Sequence, residues 1–472
     1  MLNDSMNTND NSRMIQNRHP EIEPDEQNPF GNNDLGRKQH AENFERIVSL
    51  YARTGCVMAL NGAWGTGKTT FVKMLKTDMA NKGFRPLYFN AWTNDFVSDP
   101  LVALLAELKE LHQDDEKYKN LVKLGGKIVI DVLAAIFKSI LKNKAGIDYE
   151  SLTDGLAEMF KGEIDQYAEQ QKSLEDFKKA LTEYVADNTE EGKPVVFFID
   201  ELDRCNPRFA VQVLERVKHL FDIPNMVFVL VINKDQLRHA IRGYYGSDNI
   251  DADNYLRRFI DIEYQLPEVD KEKFFELLYE EYGFDDVLAS ANRESDYELT
   301  RESEYLQTLM RTLVKYSDFD LRTTDKYMAH TRLALQSYSN FEHFYPGVLA
   351  IMSYLRFANN TLYEQIKEHQ WDASDLLLKL DEVFGPMLQK VESSDSARNN
   401  LLSALARTLF TYNPKQLDGT FYQLTNQYPT KYIKIEEFKP IIMSIEKLSP
   451  RGAAEMTMAI EHLELLRNIN MK

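Results

Sequence analysis

One stretch of the chain constrains its fold more than any other: an apolar run that leads into a glycine-rich turn and then into a helical pattern. The run is Cys56–Leu60, the turn reads GAWGTGKT over Gly62–Thr69, and the helical pattern extends to Asn81. The turn fits G-x-x-x-x-G-K-[ST], whose glycines let the backbone curl so that its N–H groups point at phosphate oxygens. The sequence therefore predicts a strand, a phosphate-binding loop and a helix in that order.

The side chains of this loop have separate expected roles. The positive N-terminal end of the helix favours an anion. Lys68 supplies a mobile charge to the β- and γ-phosphates and counts as a catalytic residue, while Thr69 offers its hydroxyl to Mg²⁺. The alternative is a glycine turn without a ligand. The predicted ligands of Mg-ATP are Gly62, Ala63, Trp64, Gly65, Thr66, Gly67, Lys68, Thr69 and Thr70.

A second apolar run ends in two carboxylates. The run Pro194–Ile199 is followed directly by Asp200 and Glu201. Asp200 is expected to hold Mg²⁺, directly or through a water. Glu201 is expected to act as the general base on an attacking water, and the alternative is a solvated charge at a strand end. Together with the phosphate loop, this pair predicts hydrolysis in addition to binding.

A third apolar run, Asn225–Ile232, ends in Asn233. If this strand is a neighbour of the phosphate-loop strand, Asn233 would contact the γ-phosphate or the attacking water. The alternative is a turn that only terminates the strand.

Several arginines could neutralise charge in the transition state, either from the same chain or from a neighbouring one. The candidates are Arg258 with its neighbour Arg257, and Arg322. Each could instead be a surface or salt-bridge residue. Arg204, close behind the acid pair, either senses phosphate or pairs with a nearby carboxylate.

The order of the elements predicts the fold class and the domains. Apolar strands such as Arg85–Asn90 and Pro194–Ile199 alternate with helical patterns, which is typical of an α/β protein with a mostly parallel central sheet between two helical layers. We expect a disordered or loosely docked arm at 1–33. A P-loop domain at 34–270 would contain a helical insertion at about 114–192, and a helical domain would occupy 271–472.

The net charge and the cysteine content limit which ligands and which cellular compartment we expect for the chain. The net charge of -18 disfavours broad binding to nucleic acid. The two cysteines, Cys56 and Cys205, form neither a disulfide framework nor a zinc pattern, which indicates the cytoplasm.

The amphipathic stretch 127–142 is shorter than the ~20 apolar residues of a bilayer span. It would pack on the protein or a partner, or lie on a membrane surface.

Four blocks of the chain, in order, resemble the KAP family of P-loop NTPases, over about residues 34–267. The blocks are Asp34–Arg37, Asn61–Thr69, Tyr88–Trp92 and Asp200–Cys205. The resemblance implies an additional strand between the phosphate-loop strand and the Mg-binding strand. It also implies a catalytic acid at Glu201, where the family usually has Asp.

The same resemblance carries further expectations. It places Gly36 and Arg37 near the nucleotide base. Many members of the family carry transmembrane helices in the inserted segment, whereas here the most apolar helix of that segment is short and charged. Bacterial members are linked to phage exclusion and to defence modules.

These observations lead to one main functional hypothesis and to alternatives. The chain would hydrolyse Mg-ATP to drive or time a conformational change in a partner complex, as the ATPase subunit of a bacterial anti-phage system. Its partners would be proteins encoded nearby, and it could form a homo-oligomer. The first alternative is a nucleotide-dependent switch or scaffold with little turnover, and the others are a P-loop kinase and a DNA motor.

Overall fold

The chain is described in two compact units, the first ending at Glu268 and the second beginning at Val269. The computed structural model describes residues 24–31, 35–97, 99–111, 116–129, 152–218, 220, 222–290, 296–338, 345–392, 396–412, 430–448 and 453–465. Most of the predicted arm at 1–33 and most of the amphipathic stretch 127–142 therefore lie outside the described residues.

The first unit is built on a parallel five-stranded sheet with the order β2-β3-β4-β1-β5. β4 lies between β1 and β3, which confirms the additional strand that the family resemblance implies. The predicted strands are confirmed to within one residue at each end, whereas the short edge strand β5 is absent from the sequence-based prediction. The strands are β1 (Cys56–Asn61), β2 (Arg85–Asn90), β3 (Val195–Asp200), β4 (Met226–Ile232) and β5 (Ile262–Gln265).

Helices cover both faces of this sheet. Because successive side chains of a strand point to opposite faces, β3 contributes Phe198 to one apolar cluster and Phe197 to another. The first cluster includes side chains of α1 and α2, and the second includes those of α3, α5, α6 and α7. This arrangement confirms the predicted three-layer α/β fold. The helices are α1 (Lys38–Leu50), α2 (Lys68–Asn81), α3 (Pro100–Leu108), α4 (116–129), α5 (Leu152–Asp187), α6 (Pro207–Lys218), α7 (Lys234–Tyr245) and α8 (Ala252–Leu256).

Residues 24–31 lie on the face of the sheet that α1 and α2 cover. The Phe30 side chain is buried, and its ring lies 6.3 Å from that of Phe71 on α2. The Asn81 side chain donates a hydrogen bond of 2.6 Å to the carbonyl of Glu26. The described part of the predicted arm is therefore packed on α2.

The connection from β2 to β3 carries the helices α3, α4 and α5. The Tyr184 hydroxyl on α5 donates a hydrogen bond of 3.0 Å to the carbonyl of Leu108 on α3. Its ring also packs against that of Tyr118 on α4. Among the residues that the structure describes, no helix combines the length and the apolar character that crossing a membrane requires.

The second unit consists of helices around one apolar core, and its described residues contain no strand. The helices are α9 (Lys271–Glu281), α10 (Phe284–Ser290), α11 (Asp296–Tyr316), α12 (Leu321–Gln336), α13 (Pro346–Ala358), α14 (Asn360–Lys367), α15 (Ala373–Lys390), α16 (Ser396–Tyr412), α17 (Ile435–Leu448) and α18 (Ala453–Leu465).

A buried carboxylate fixes the segment that leads into α17. Asp381 on α15 is buried and accepts hydrogen bonds from the backbone N–H groups of Lys431, Tyr432 and Ile433, at 2.6, 3.0 and 2.6 Å. A carboxylate offers only acceptors, which matches this set of backbone donors.

We expect Asp381→Asn to destabilise the helical unit, because the amide NH₂ would face a backbone N–H instead of accepting from it. The free energy of unfolding should fall by about 2 kcal/mol, the typical cost of a buried polar group that loses its partner. Urea unfolding followed by circular dichroism measures this loss. The matched control is Glu382→Gln, the next residue on the same helix, which is exposed and should change stability by less than ~0.5 kcal/mol. Equal effects of the two changes would show that the buried carboxylate of Asp381 does not stabilise the helical unit.

Candidate active site

The phosphate loop connects the end of β1 to the start of α2. Gly65 and Gly67 have φ angles of 76° and 75°, which glycine adopts at no steric cost. Gly67 directly precedes α2. The N–H of Gly62 donates a hydrogen bond of 3.1 Å to the carbonyl of Ile232, so the start of the loop is fixed to β4.

Lys68 lies across its own loop. Its ammonium donates hydrogen bonds of 2.8 and 3.0 Å to the carbonyls of Gly62 and Ala63. Burial lowers its pKa, and the nearby carboxylates of Asp203 and Asp200 oppose this shift. A partly dehydrated ammonium in this position gains from an anion in the loop.

Asp200, the last residue of β3, is only 1% exposed. Its carboxylate accepts hydrogen bonds from the hydroxyl of Tyr88 at 2.9 Å and from the N–H of Glu201 at 2.8 Å, and the hydroxyl of Thr69 lies close to it. Burial raises the pKa of Asp200, and the hydroxyls of Thr69 and Tyr88 oppose that shift. A cation at this carboxylate would therefore stabilise its charged form.

The structure thus brings the two predicted metal ligands, Thr69 and Asp200, into contact. Hydroxyl and carboxylate oxygens suit Mg²⁺, which keeps waters and phosphate oxygens in the rest of its shell. Throughout the described ranges, no group of three or more His, Cys, Asp or Glu residues could hold a metal ion. The hydroxyl of Thr69 and the carboxylate of Asp200 fit Mg²⁺ that enters together with phosphate.

Glu201 has an unusual backbone and two side-chain partners. Its φ and ψ of 61° and 24° lie in the left-handed region, which costs a non-glycine residue about 1 kcal/mol or more. Arg204 lies 2.7 Å from its Oε1 atom, and the Asn90 amide donates to its Oε2 atom at 3.3 Å. Asn90 ends β2, directly beside Asp200 in the register of the sheet. The sequence-based reasoning missed this role of Asn90, which follows from the adjacency of β2 and β3.

A hydrogen bond joins the phosphate loop to the turn that follows Glu201 in the chain. The indole N–H of Trp64 donates to Asp203 at 2.6 Å, and Asp203 belongs to the short 3₁₀ helix Leu202–Arg204. Trp64 itself is 42% exposed. The Arg204 guanidinium lies 5.8 Å from the ring centre of Trp92. The hydrogen bond from Trp64 to Asp203 therefore connects the phosphate loop to the turn that follows Glu201.

Arg37 holds the phosphate loop from the other side. It is 4% exposed and donates hydrogen bonds of 2.6 and 3.0 Å to the carbonyls of Thr66 and Gly67. Burial lowers the pKa of Arg37 to about 10. Gly36, with a φ of 80°, forms the turn in front of it. That these two residues lie near the nucleotide base stays a prediction.

Asn233 follows β4, and β4 is the direct neighbour of β1. Its side-chain oxygen accepts hydrogen bonds of 3.1 and 3.3 Å from the N–H groups of Asp235 and Gln236, so it caps α7. This geometry matches the simpler of the two interpretations, a turn that ends the strand. A contact between its amide nitrogen and phosphate stays a prediction.

The predicted arginines lie in different places. Arg257 and Arg258 are exposed and follow α8. Arg258 makes no ion pair with any described residue. Arg322 is exposed at the start of α12, in the second unit. A catalytic or phosphate-binding role for any of them stays a prediction.

Fold and site together define a P-loop NTPase with an additional strand and an acid pair. Comparison with known proteins identifies the family: the model of the KAP family P-loop domain matches residues 37–337, so the chain belongs to the KAP family. The match extends beyond the predicted limit near residue 267 and includes the first helices of the second unit.

Individual relatives are distant. The chain is 21% identical over 259 residues to the "Phage T7 exclusion protein" of Escherichia coli (strain K12), over 52% of this chain and 34% of that protein. It therefore spans about a third of that relative.

Solved structures show similarly remote likeness. The Aeropyrum pernix ORC2 protein in ADPNP-ADP complexes is 13% identical, with a TM-score of 0.33 over 92% of this chain and 95% of that chain. AMPPCP-bound DnaA from Aquifex aeolicus is 10% identical, with a TM-score of 0.26 over 93% and 95% of the two chains. Likeness at this distance carries no argument about function.

We expect Arg37→Ala to weaken binding of the ATP analogue AMPPNP with Mg²⁺, although Arg37 need not touch the phosphates. Loss of the hydrogen bonds to Thr66 and Gly67 would leave the loop less ordered. Titration calorimetry should show affinity lower by roughly tenfold, the equivalent of one charge-assisted hydrogen bond. The control is Arg46→Ala, an exposed residue on α1, the helix that Arg37 precedes, and it should leave affinity unchanged. Equal affinity of the two variants would show that the hydrogen bonds from Arg37 to Thr66 and Gly67 do not order the loop for nucleotide binding.

Proposed function

We propose that this chain binds Mg-ATP in the loop Gly62–Thr69 and hydrolyses it with Glu201 as the general base. One observation carries the proposal: the hydroxyl of Thr69, at the start of α2, lies close to the carboxylate of Asp200 at the end of β3, with Glu201 next along the chain. Phosphate-binding and water-activating groups thus meet at one edge of a parallel sheet, where α/β proteins bind ligands.

The residues would divide the work as follows. Backbone N–H groups of the loop and the Lys68 ammonium bind the phosphates of ATP. Thr69 and Asp200 would hold Mg²⁺, which neutralises charge on the phosphate oxygens when it is bound. Glu201 accepts a proton from a water molecule as the water oxygen bonds to the γ-phosphorus. The bond from that phosphorus to the β-phosphate oxygen breaks, and ADP leaves.

We expect Glu201→Gln to lower phosphate release by about a hundredfold or more, the usual contribution of a general base. The variant should retain binding of ATP, since an amide fills the same space. Lys68→Ala should instead lose nucleotide binding. The control is Glu191→Gln, whose side chain is 84% exposed and pairs only at the surface with Arg53.

Four outcomes would change the proposed function or the role of Glu201. Unaltered turnover in Glu201→Gln would exclude Glu201 as the base. Binding without turnover in the unmodified protein would favour the nucleotide-dependent switch. A phosphorylated acceptor in place of free phosphate would indicate a kinase, and strong stimulation of turnover by DNA would indicate a motor.

We further propose that the ATPase cycle drives or times a conformational change in a partner complex that acts against phages. The match to a protein named for exclusion of phage T7 supports this role, although the chain spans only about a third of that protein. The partners would be cytoplasmic proteins encoded nearby, and a second copy of the chain is a further possible partner.

We expect cells that express the chain with its neighbouring genes to yield fewer plaques when challenged with phage T7. Lys68→Ala should restore the plaque count, because the complex could no longer respond to nucleotide. The Glu191→Gln variant should protect as the unmodified protein does. Equal protection by the Lys68→Ala variant would show that the defence role does not depend on nucleotide.

A further inference from the structure

Arg204 occupies a position with two possible partners. Its guanidinium lies 2.7 Å from Oε1 of Glu201 and 5.8 Å from the ring centre of Trp92. The Arg204 side chain is 28% exposed, and Glu201 lies three residues before it, across a single turn of 3₁₀ helix. The ion pair is therefore partly open to solvent and is not locked into the core.

This ion pair conflicts with the role of Glu201 as a base. A general base needs a free lone pair toward the water that it deprotonates. Here Arg204 occupies Oε1 and Asn90 occupies Oε2. Each oxygen keeps a second lone pair, but both contacts compete with the attacking water for the carboxylate, and the contact with the charged guanidinium is the shorter.

Arg204 also lies within electrostatic reach of the phosphate loop. Its charge, with those of Asp203, Asp200 and Glu201, acts on the Lys68 ammonium. The hydrogen bond from Trp64 to Asp203 ties the turn that carries Arg204 to the loop. A triphosphate in the loop would add negative charge close to a flexible arginine.

We propose that Arg204 is the residue that senses the γ-phosphate, by exchanging Glu201 for the terminal phosphate of bound ATP. A planar guanidinium matches phosphate oxygens as well as it matches a carboxylate. The exchange frees Oε1 of Glu201 to accept the proton of the attacking water. ADP has no γ-phosphate, so the ion pair returns after hydrolysis. This inference rests on the proposed function, since it assigns a residue to the same site.

The test compares the binding of Mg-AMPPNP and Mg-ADP by titration calorimetry, a readout that does not depend on turnover. Arg204→Ala should weaken AMPPNP binding by about tenfold, the equivalent of one charge-assisted hydrogen bond, and should leave ADP binding unchanged. Arg204→Gln, which keeps most of the side-chain volume, should behave in the same way. The matched control is Arg208→Ala, an exposed arginine four residues further on.

Glu201→Gln supplies the second half of the test. It removes the charge that competes for Arg204, so AMPPNP should bind more tightly than to the unmodified protein, and ADP should not. In the double variant with Arg204→Ala, this gain should disappear, because the two residues act on each other. Additive effects of the two changes would overturn the exchange.

The other possible results of these titrations also test the sensing role of Arg204. If both Arg204 variants weaken AMPPNP and ADP equally, or neither, the arginine has no sensing role and the proposal fails while ATP binding stands. A lowered unfolding temperature with equal losses for both nucleotides would identify Arg204 as structural. If the unmodified protein binds neither nucleotide, the proposed function and this inference fail together.

Discussion

The approach of the Thr69 hydroxyl to the carboxylate of Asp200 depends on the strand order, and the rest of the site depends on it. Thr69 is the second residue of α2, which follows β1, and Asp200 ends β3, with β4 between the two strands. Strands lie about 4.8 Å apart, so residues at the ends of β1 and β3 are separated by two such spacings. The phosphate loop and the first turn of α2 bridge this gap, which places a hydroxyl beside a carboxylate that is distant in sequence.

This arrangement concentrates features that are unfavourable for the isolated protein. Asp200 is buried with a raised pKa, Lys68 is half-buried with a lowered pKa, and Glu201 has a left-handed backbone. Such features persist where the surroundings hold them in place, and they are typical of sites that bind a charged ligand. Arg37 and the Trp64–Asp203 hydrogen bond supply that support. A nucleotide and a cation would relieve the unfavourable charges.

The sequence was sufficient for features that are local along the chain. Unbroken apolar runs predicted β1, β3 and β4, and the glycine pattern predicted the loop. The edge strand β5 was missed because it is an isolated run of only four residues, Ile262–Gln265, whose apolar–polar alternation is much weaker than the unbroken apolar runs of the central strands. The contacts of Asn90 and Arg37 were also missed, since they depend on which carbonyls and strands become neighbours in space. For Arg322, in the second unit, the pattern along the chain offers no spatial information.

A structure of the protein with Mg²⁺ and AMPPNP tests the account most directly. We predict the triphosphate inside the curl of Gly62–Thr69, with Mg²⁺ at about 2.1 Å from the hydroxyl oxygen of Thr69. Asp200 should bind the same ion, directly or through one water. A nucleotide bound elsewhere, or a metal that meets neither Thr69 nor Asp200, directly or through a water, would contradict it.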